Sequence, residues 1–253
     1  MGTLYAIGDV HGEAGLLASL LKAVAEEGQN DTDEPSVFFL GDIVDRGPDS
    51  LSALDLVCDT LERWPGSRLL LGNHDKWFLD FLDGAQSAAA TLDWIDQGGR
   101  ETLASYGFGS HRTAEARKAI LAGHSRHLAM LRQASILETL GRFAFVHAGI
   151  DPAKPIGGQS LEDCLWIRAR FLNHVGRLSH VVVHGHSPQR PAQPTVTENR
   201  ISMDTGACFS GVLAAFALDV GTGAHRFLAA RRDGSVRAIE PRRLDRGLGT
   251  ALG

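Results

Sequence analysis

Cysteine is scarce: Cys58, Cys164 and Cys208 are three in 253 residues, widely spaced and odd in number. That excludes a disulfide framework and a thiolate zinc knuckle, and makes a reducing cytoplasm the expected setting. Long apolar runs are missing too, since none nears the roughly 18 residues of a membrane span. The first residues carry no basic region followed by an apolar stretch, so no signal peptide is read there. Positive charge is not in excess. Lys and Arg total 25 against 30 Asp and Glu, a net charge of −5, which gives no reason to expect nucleic-acid binding. The phosphate-loop pattern Gly-x4-Gly-Lys-Ser/Thr, the dinucleotide pattern Gly-x-Gly-x-x-Gly and the nucleophile elbow Gly-x-Ser-x-Gly do not occur. No repeat or linker divides the chain, so residues 1–253 are read as one domain.

What the sequence does have is 43% hydrophobic residues, enough for a sizeable core, together with 29 glycines and 11 histidines. Five short apolar runs share one design. Residues 3–8 lead into Asp9, 36–41 into Asp42, 68–72 into Asn73-His74-Asp75, 143–146 into His147, and 181–183 into His184-Gly185-His186. Each has the length and near-continuous apolarity of a strand buried on both faces. Helical spacing at 14–27 (Leu16, Leu17, Leu20, Leu21, Val24) and, more loosely, at 49–62 separates the first three. Strand–helix–strand–helix–strand predicts a layered α/β fold whose polar clusters converge beyond the carboxyl ends of the strands. Residues 76–142 read as a helical insertion leaning over that edge, with helical stretches near 77–96, 113–122 and 124–133. From 195 the pattern changes to short strands at 195–203, 211–219, 224–230 and 235–239, expected as antiparallel meanders forming a second sheet. The tail from 241 to 253 reads as a frayed end.

Asp9, His11, Asp42, Asn73, His147 and His186 mix carboxylate, imidazole and amide oxygen. That mixture suits borderline divalent ions such as manganese, iron, zinc or cobalt. Six ligands exceed the needs of one catalytic ion with open positions but suit two if one carboxylate bridges. Two such ions can stabilise the entering and leaving oxygens of an in-line phosphoryl displacement.

Gly8-Asp9-Val10-His11-Gly12, Gly41-Asp42-Ile43-Val44-Asp45-Arg46-Gly47, Gly72-Asn73-His74-Asp75, His147-Ala148-Gly149 and Gly185-His186 stand in the order typical of calcineurin-like metallophosphoesterases. The Asp45-Arg46-Gly47 triplet resembles the phosphoprotein phosphatase family in its small bacterial and lambda-phage branch, and Met203-Asp204-Thr205-Gly206-Ala207 is in the same style. The resemblance implies a four-layer α/β/β/α sandwich of two mixed sheets flanked by helices. It implies two divalent cations, manganese first with iron or zinc admitted, and direct attack of an activated water on phosphorus. Asp9, His11 and Asp42 would hold the first cation, with Asp42 bridging to a second held by Asn73, His147 and His186. His74 would be the general acid, oriented by Asp45. Arg46 and a second arginine, Arg168 with Arg170 as competitor, would grip the phosphate, with Asn73 beside it. The implied substrate is a phosphoserine or phosphothreonine protein, with phosphotyrosine and phosphorylated small molecules in reach. A sister branch that hydrolyses diadenosine tetraphosphate has a small residue in place of Asp45, so the carboxylate favours the phosphatase. A catalytically silent binding module is a remote third reading.

Single residues carry plainer meanings. A strand-end Asp or Asn in isolation is usually a turn or cap residue, and only joint occurrence argues for a metal site. His184 is read as a packing residue or a support behind the ligands, because Ser187 replaces the final histidine of a Gly-His-x-His ending. Asp75 is read as a support of the site, Trp94, Phe78 and Phe81 as core, and His111, His124, His127, His174, His180 and His225 as surface or helix residues. No cysteine is assigned a nucleophilic role.

Overall fold

The computed structural model describes residues 2–28 and 34–244. The first three predicted strands form β1 (Thr3–Ile7), β2 (Ser36–Phe39) and β3 (Arg68–Leu69), mutually parallel and joined by α1 (Ala14–Gly28) and α2 (Ser50–Arg63). α1 buries the stripe Leu16, Leu17, Leu20, Leu21 and Val24 that its spacing announces. α2 starts where the Asp49 carboxylate accepts a hydrogen bond from the Ser52 N–H at 3.0 Å.

The stretch expected as one helix over 77–96 is two, α3 (Asn73–Asp83) and α4 (Ala88–Trp94), because Gly84 takes φ 70° and ends the first. A π-turn (Ile95–Gly99) leads into α5 (Arg100–Ser105), followed by α6 (Thr113–Gly123) and α7 (Ser125–Arg132). The insertion does not stay helical to 142. Its last residues form β4 (Leu137–Leu140), which turns through Gly141 into β5 (Phe143–Val146). Short helices α8 (Leu161–Trp166) and α9 (Ala169–Leu172) precede β6 (Val181–His184).

The later strands are β7 (Thr195–Val196), β8 (Arg200–Ser202), β9 (Val212–Asp219), β10 (His225–Arg231), β11 (Val236–Ala238) and β12 (Arg242–Arg243), with α10 (Ala207–Ser210) between β8 and β9. They do not make one second sheet as expected. β9 pairs antiparallel with β1, so β11-β10-β9-β1-β2-β3 is a single sheet, while β7 and β8 join the order β12-β7-β8-β6-β5-β4. Spacing revealed the strands but not their partners. β9 is buried on both faces like a central strand, and Ala214, Ala215 and Ala217 keep it slim between the second sheet and α1. Arg242 and Arg243 pair in parallel with Thr195 and Val196, so the expected fraying does not begin at 241; residues 245–253 lie outside the described chain.

The strands' alternation builds the layers. Tyr5 and Ile7 face a helical core with α1 and α2, whereas Leu4 and Ala6 face Phe145, Val183 and Phe216 between the sheets. Val146 and Val182 on the far side of the second sheet pack against Cys164 and Phe171 of α8 and α9. The result is helices, sheet, sheet, helices. Each fully buried Phe of the inter-sheet layer contributes on the order of 1.5–3 kcal/mol by leaving water. No helix among the described residues is long and apolar enough to cross a membrane.

Candidate active site

The five motif loops leave the carboxyl ends of β1, β2 and β3 in one sheet and of β5 and β6 in the other, and all meet at one seam. Backbone bonds stitch them: the Val10 and His11 N–H groups donate to the Asp42 carbonyl at 3.1 and 2.8 Å, and the Gly185 N–H donates to the His147 carbonyl at 2.8 Å. A Cβ on Gly72 would collide with the Asp42 backbone and carboxylate, and one on Gly185 with the Asp9 carboxylate. Only glycine lets the loops approach this closely. Five non-glycine residues take positive φ among the described residues: His11, Asp42, Asp45, Arg46 and His186. All are sequence-predicted site residues. Such geometry costs about 1–2 kcal/mol each and persists where surrounding bonds fix it.

Asp42 lies at the centre. Its oxygens part, Oδ2 lying 3.5 Å from His11 Nε2 and Oδ1 3.5 Å from His147 Nε2. Ligand-capable atoms of His11, Asp42 and His74 fall within 4.8 Å of one another, as do those of Asp42, His147 and His186, so the two groups share Asp42. Asp9 sits beside the first group rather than in it. Its carboxylate accepts the His186 N–H at 3.0 and 3.1 Å. His11 Nδ1 contacts the Val44 carbonyl at 2.8 Å and His147 Nδ1 the Leu40 carbonyl at 2.8 Å. With each Nδ1–H spent on a carbonyl, each Nε2 lone pair faces the site.

Asn73 Oδ1 lies 2.9 Å from both His147 Nε2 and His186 Nδ1, and His186 Nε2 is buried with no hydrogen-bond partner among the described residues. Acceptor atoms therefore converge with little hydrogen between them, which is what a divalent cation requires. The electrostatics agree. Burial, then the charges of Asp204 and Asp42, push the Asp9 carboxyl up; burial pushes Asp204 to about 6. Burial also drives His11 down to about 3 and lowers His147, so both imidazoles stay neutral and free to ligate. Burial would raise the Asp42 carboxyl, but in the acid range where the rings of His147, His74 and His11 carry charge they outweigh it, helped by the His74 N–H, and hold the carboxyl low.

Beside this group His74 Nδ1 meets Asp45 Oδ2 at 2.7 Å. Burial alone would lower His74, but Asp42's charge and the bond to Asp45 raise it. Arg46 sets Nη1 2.6 Å from His11 Nε2 and Nη2 2.8 Å from His74 Nε2. A cavity of about 600 Å³ opens over Asp42, Arg46, Asn73, His74 and His186, and Arg168 lines it. Arg170 does not; it is turned to Asp151 at 2.9 Å.

Asp75 is buried and accepts backbone N–H bonds from Ile43 at 2.9 Å, Val44 at 3.4 Å and Gly72 at 3.1 Å, tying two motif loops together. His184 contacts Ser202 Oγ and the Gly185 carbonyl, a packing role. His127 is, as expected, a helix residue, in α7, but a buried one, set between Tyr106 Oη at 2.7 Å and Asp55 at 2.8 Å. Cys164 and Arg170 stand at the Cys-x5-Arg spacing of a phosphocysteine cradle. However, the thiol is buried in the outer core, where burial pushes it up to about 11, and Arg170 faces solvent and Asp151. That spacing therefore carries no nucleophile. Sequence reasoning missed two tryptophans at the site. Trp77 packs edge-on to His74 at 4.9 Å, and Trp166 edge-on to His186 at 6.0 Å. Their only sequence signal is adjacency, three residues after His74 and two before Arg168.

The sequence model of the calcineurin-like phosphoesterase family matches residues 2–207. The chain belongs to the calcineurin-like phosphoesterases. It is a hydrolase acting on phosphoesters, of a family that works with two metals. Serine/threonine-protein phosphatase 1 of Salmonella typhimurium is 31% identical to this calcineurin-like phosphoesterase over 220 residues, spanning 83% of this chain and 89% of its own. An asymmetrical bis(5'-nucleosyl)-tetraphosphatase, PrpE of a Geobacillus species, is 26% identical over 231 residues, spanning 83% and 88%. Among solved structures a cold-active protein tyrosine phosphatase superposes with a TM-score of 0.62 at 15% identity, covering 95% of this chain and 79% of its own. That last likeness is one of fold.

Proposed function

We propose that this phosphoesterase is a cytoplasmic, manganese-dependent protein phosphatase acting on phosphoserine and phosphothreonine. The observation that carries the reading is the buried His74–Asp45 pair at 2.7 Å, set beside Arg46 at the mouth of a ligand-rich seam. In this reading Asp9, His11 and Asp42 hold one cation, and Asp42, Asn73, His147 and His186 the other. When bound, the cations supply charge opposite the phosphoryl oxygens and acidify the water that attacks phosphorus. Arg46 and Arg168 bring fixed guanidinium forks to the same oxygens, with the Asn73 amide beside them. A serine or threonine alkoxide is a poor leaving group and needs a proton. His74 delivers it from Nε2, while Asp45 holds Nδ1–H and favours the charged ring. The free thiols, buried at Cys58 and Cys164, suit a reducing compartment.

The competing reading is hydrolysis of dinucleoside tetraphosphates. It draws support from the Geobacillus relative and from a cavity larger than one phosphate needs. The two separate when the manganese-loaded protein is offered a phosphoserine peptide and diadenosine tetraphosphate side by side. The proposal expects the larger kcat/KM for the peptide and loss of turnover on chelation. A larger value for the dinucleotide would reverse it.

A further inference from the structure

The segment that runs from the end of α4 into α5 closes over Asp45. Trp94 Nε1 donates to Asp45 Oδ2 at 2.9 Å, the oxygen that His74 uses, and Thr102 Oγ1 donates to Asp45 Oδ1 at 2.6 Å. Thr102 Oγ1 also accepts the Asp45 N–H at 2.9 Å, an N–H that Ser50 Oγ reaches at 3.1 Å. Between them the Gly98 carbonyl accepts the Arg46 N–H at 3.1 Å. Gly98 has φ 122°, and a Cβ there would stand 2.6 Å from Arg46 N. Asp45, Trp94 and Thr102 are all fully or almost fully buried. The insertion thus fixes the two consecutive positive-φ residues, Asp45 and Arg46, and donates to both carboxylate oxygens.

We infer that Trp94 and Thr102 are positioning residues for proton delivery: they clamp the Asp45 carboxylate in the one orientation that presents His74 Nε2 to the leaving oxygen. An unclamped carboxylate could rotate and pair its free oxygen with the ring in another geometry. With both oxygens pinned, the plane of His74 follows from the plane of Asp45. The chemistry makes the insertion part of the acid, since neither donor touches substrate and each acts through Asp45. The inference rests on His74 being the general acid.

The test uses the full manganese-loaded chain and two substrates, a phosphoserine peptide whose alkoxide needs a proton and p-nitrophenyl phosphate whose phenolate does not. Trp94→Phe keeps the ring and removes the donor; Thr102→Val keeps the shape and removes the hydroxyl. Each should lower kcat on the peptide about tenfold, the size of one lost bond to a charged group, with KM held and p-nitrophenyl phosphate changed less than threefold. Thr102→Ser should restore the peptide rate. His74→Asn is the reference. If His74→Asn splits the substrates and the two donor variants do not, the clamp is wrong and the acid stands. If His74→Asn slows both substrates equally, the acid assignment falls and the clamp with it. Equal losses on both substrates in Trp94→Phe and Thr102→Val, or failure of Thr102→Ser to rescue, would reduce these residues to ordinary core. Should Trp94→Phe not fold, the threonine pair decides alone.

Discussion

Removing the Asp75 carboxylate should cost stability out of proportion to its size. It is fully buried and makes no contact with solvent, yet three backbone N–H groups point at it. The bonds from Ile43 at 2.9 Å and Gly72 at 3.1 Å are well made, and that from Val44 at 3.4 Å is long. In Asp75→Ala these buried donors lose their acceptor, at about 1–3 kcal/mol for each good bond. Against this, burial and the neighbouring charge of Asp42 push the Asp75 carboxyl up to about 7, so its removal also relieves repulsion. The net expectation is a loss of about 2–4 kcal/mol. Asp75→Asn keeps one oxygen for Ile43 and Val44 but turns an amide N–H toward that of Gly72, and should lose about 2 kcal/mol. Urea unfolding at pH 7 with chelator present, followed by tryptophan fluorescence, reads both. The order parent, Asn, Ala is the signature. An Ala variant within about 0.5 kcal/mol of the parent would show that the loops hold their shape without this acceptor.

Two further outcomes follow from the same geometry. His184 is fully buried and held down to about 3, burial being the main cause, so it stays neutral in the fold and protonates only in the unfolded chain below about 6.5. Its contribution is whole above pH 6.5 and is lost as pH falls toward 3. In metal-free protein His184→Gln should therefore flatten the decline of unfolding free energy between pH 6 and 4 by up to about 1.4 kcal/mol per pH unit, and identical slopes would contradict the shift. For the arginines, Arg168→Ala should lower kcat/KM about a hundredfold while Arg170→Ala, removing a partner of Asp151, changes it less than threefold; the reverse order would move the phosphate grip to Arg170.

The cluster of ligand-capable residues was legible because each of them follows a strand end, and strand ends in layered α/β folds share an edge; Arg168, between two short helices, does not follow that rule. Asp9, His11, Asp42, Asn73, His147 and His186 are brought together from positions as far apart as 177 residues. Asp75 was readable as a support from its place beside the motif, and His184 as a packing or supporting residue because Ser187 stands where a Gly-His-x-His ending has its last histidine. The pairing of β9 with β1 was not readable, because alternation records which faces are buried and says nothing of the neighbouring strand. Trp94 and Thr102 were invisible for another reason. Their bonds to Asp45 come from buried helix residues, the last of α4 and the third of α5, that look like any other core positions, and no spacing rule links residue 45 to residues 94 and 102. The Cys164–Arg170 spacing shows the converse, a pattern that matches a known cradle but points its two halves in different directions.

The seam between the sheets has one more consequence. Asp9, His11, Asp42 and Asn73 ride on one slab of the sandwich and His147 and His186 on the other, while an apolar layer packs the slabs face to face and backbone bonds of Leu69 and Leu71 to Ser135 tie one edge. Any ion gripped from both sides is therefore a rivet. At a thousandfold excess over its dissociation constant it adds about 4 kcal/mol to the native state, a large share of what a domain of this kind possesses. Scarcity of the ion would then loosen the joint along its length as well as silence the chemistry, tying the lifetime of the protein to the same supply that sets its turnover.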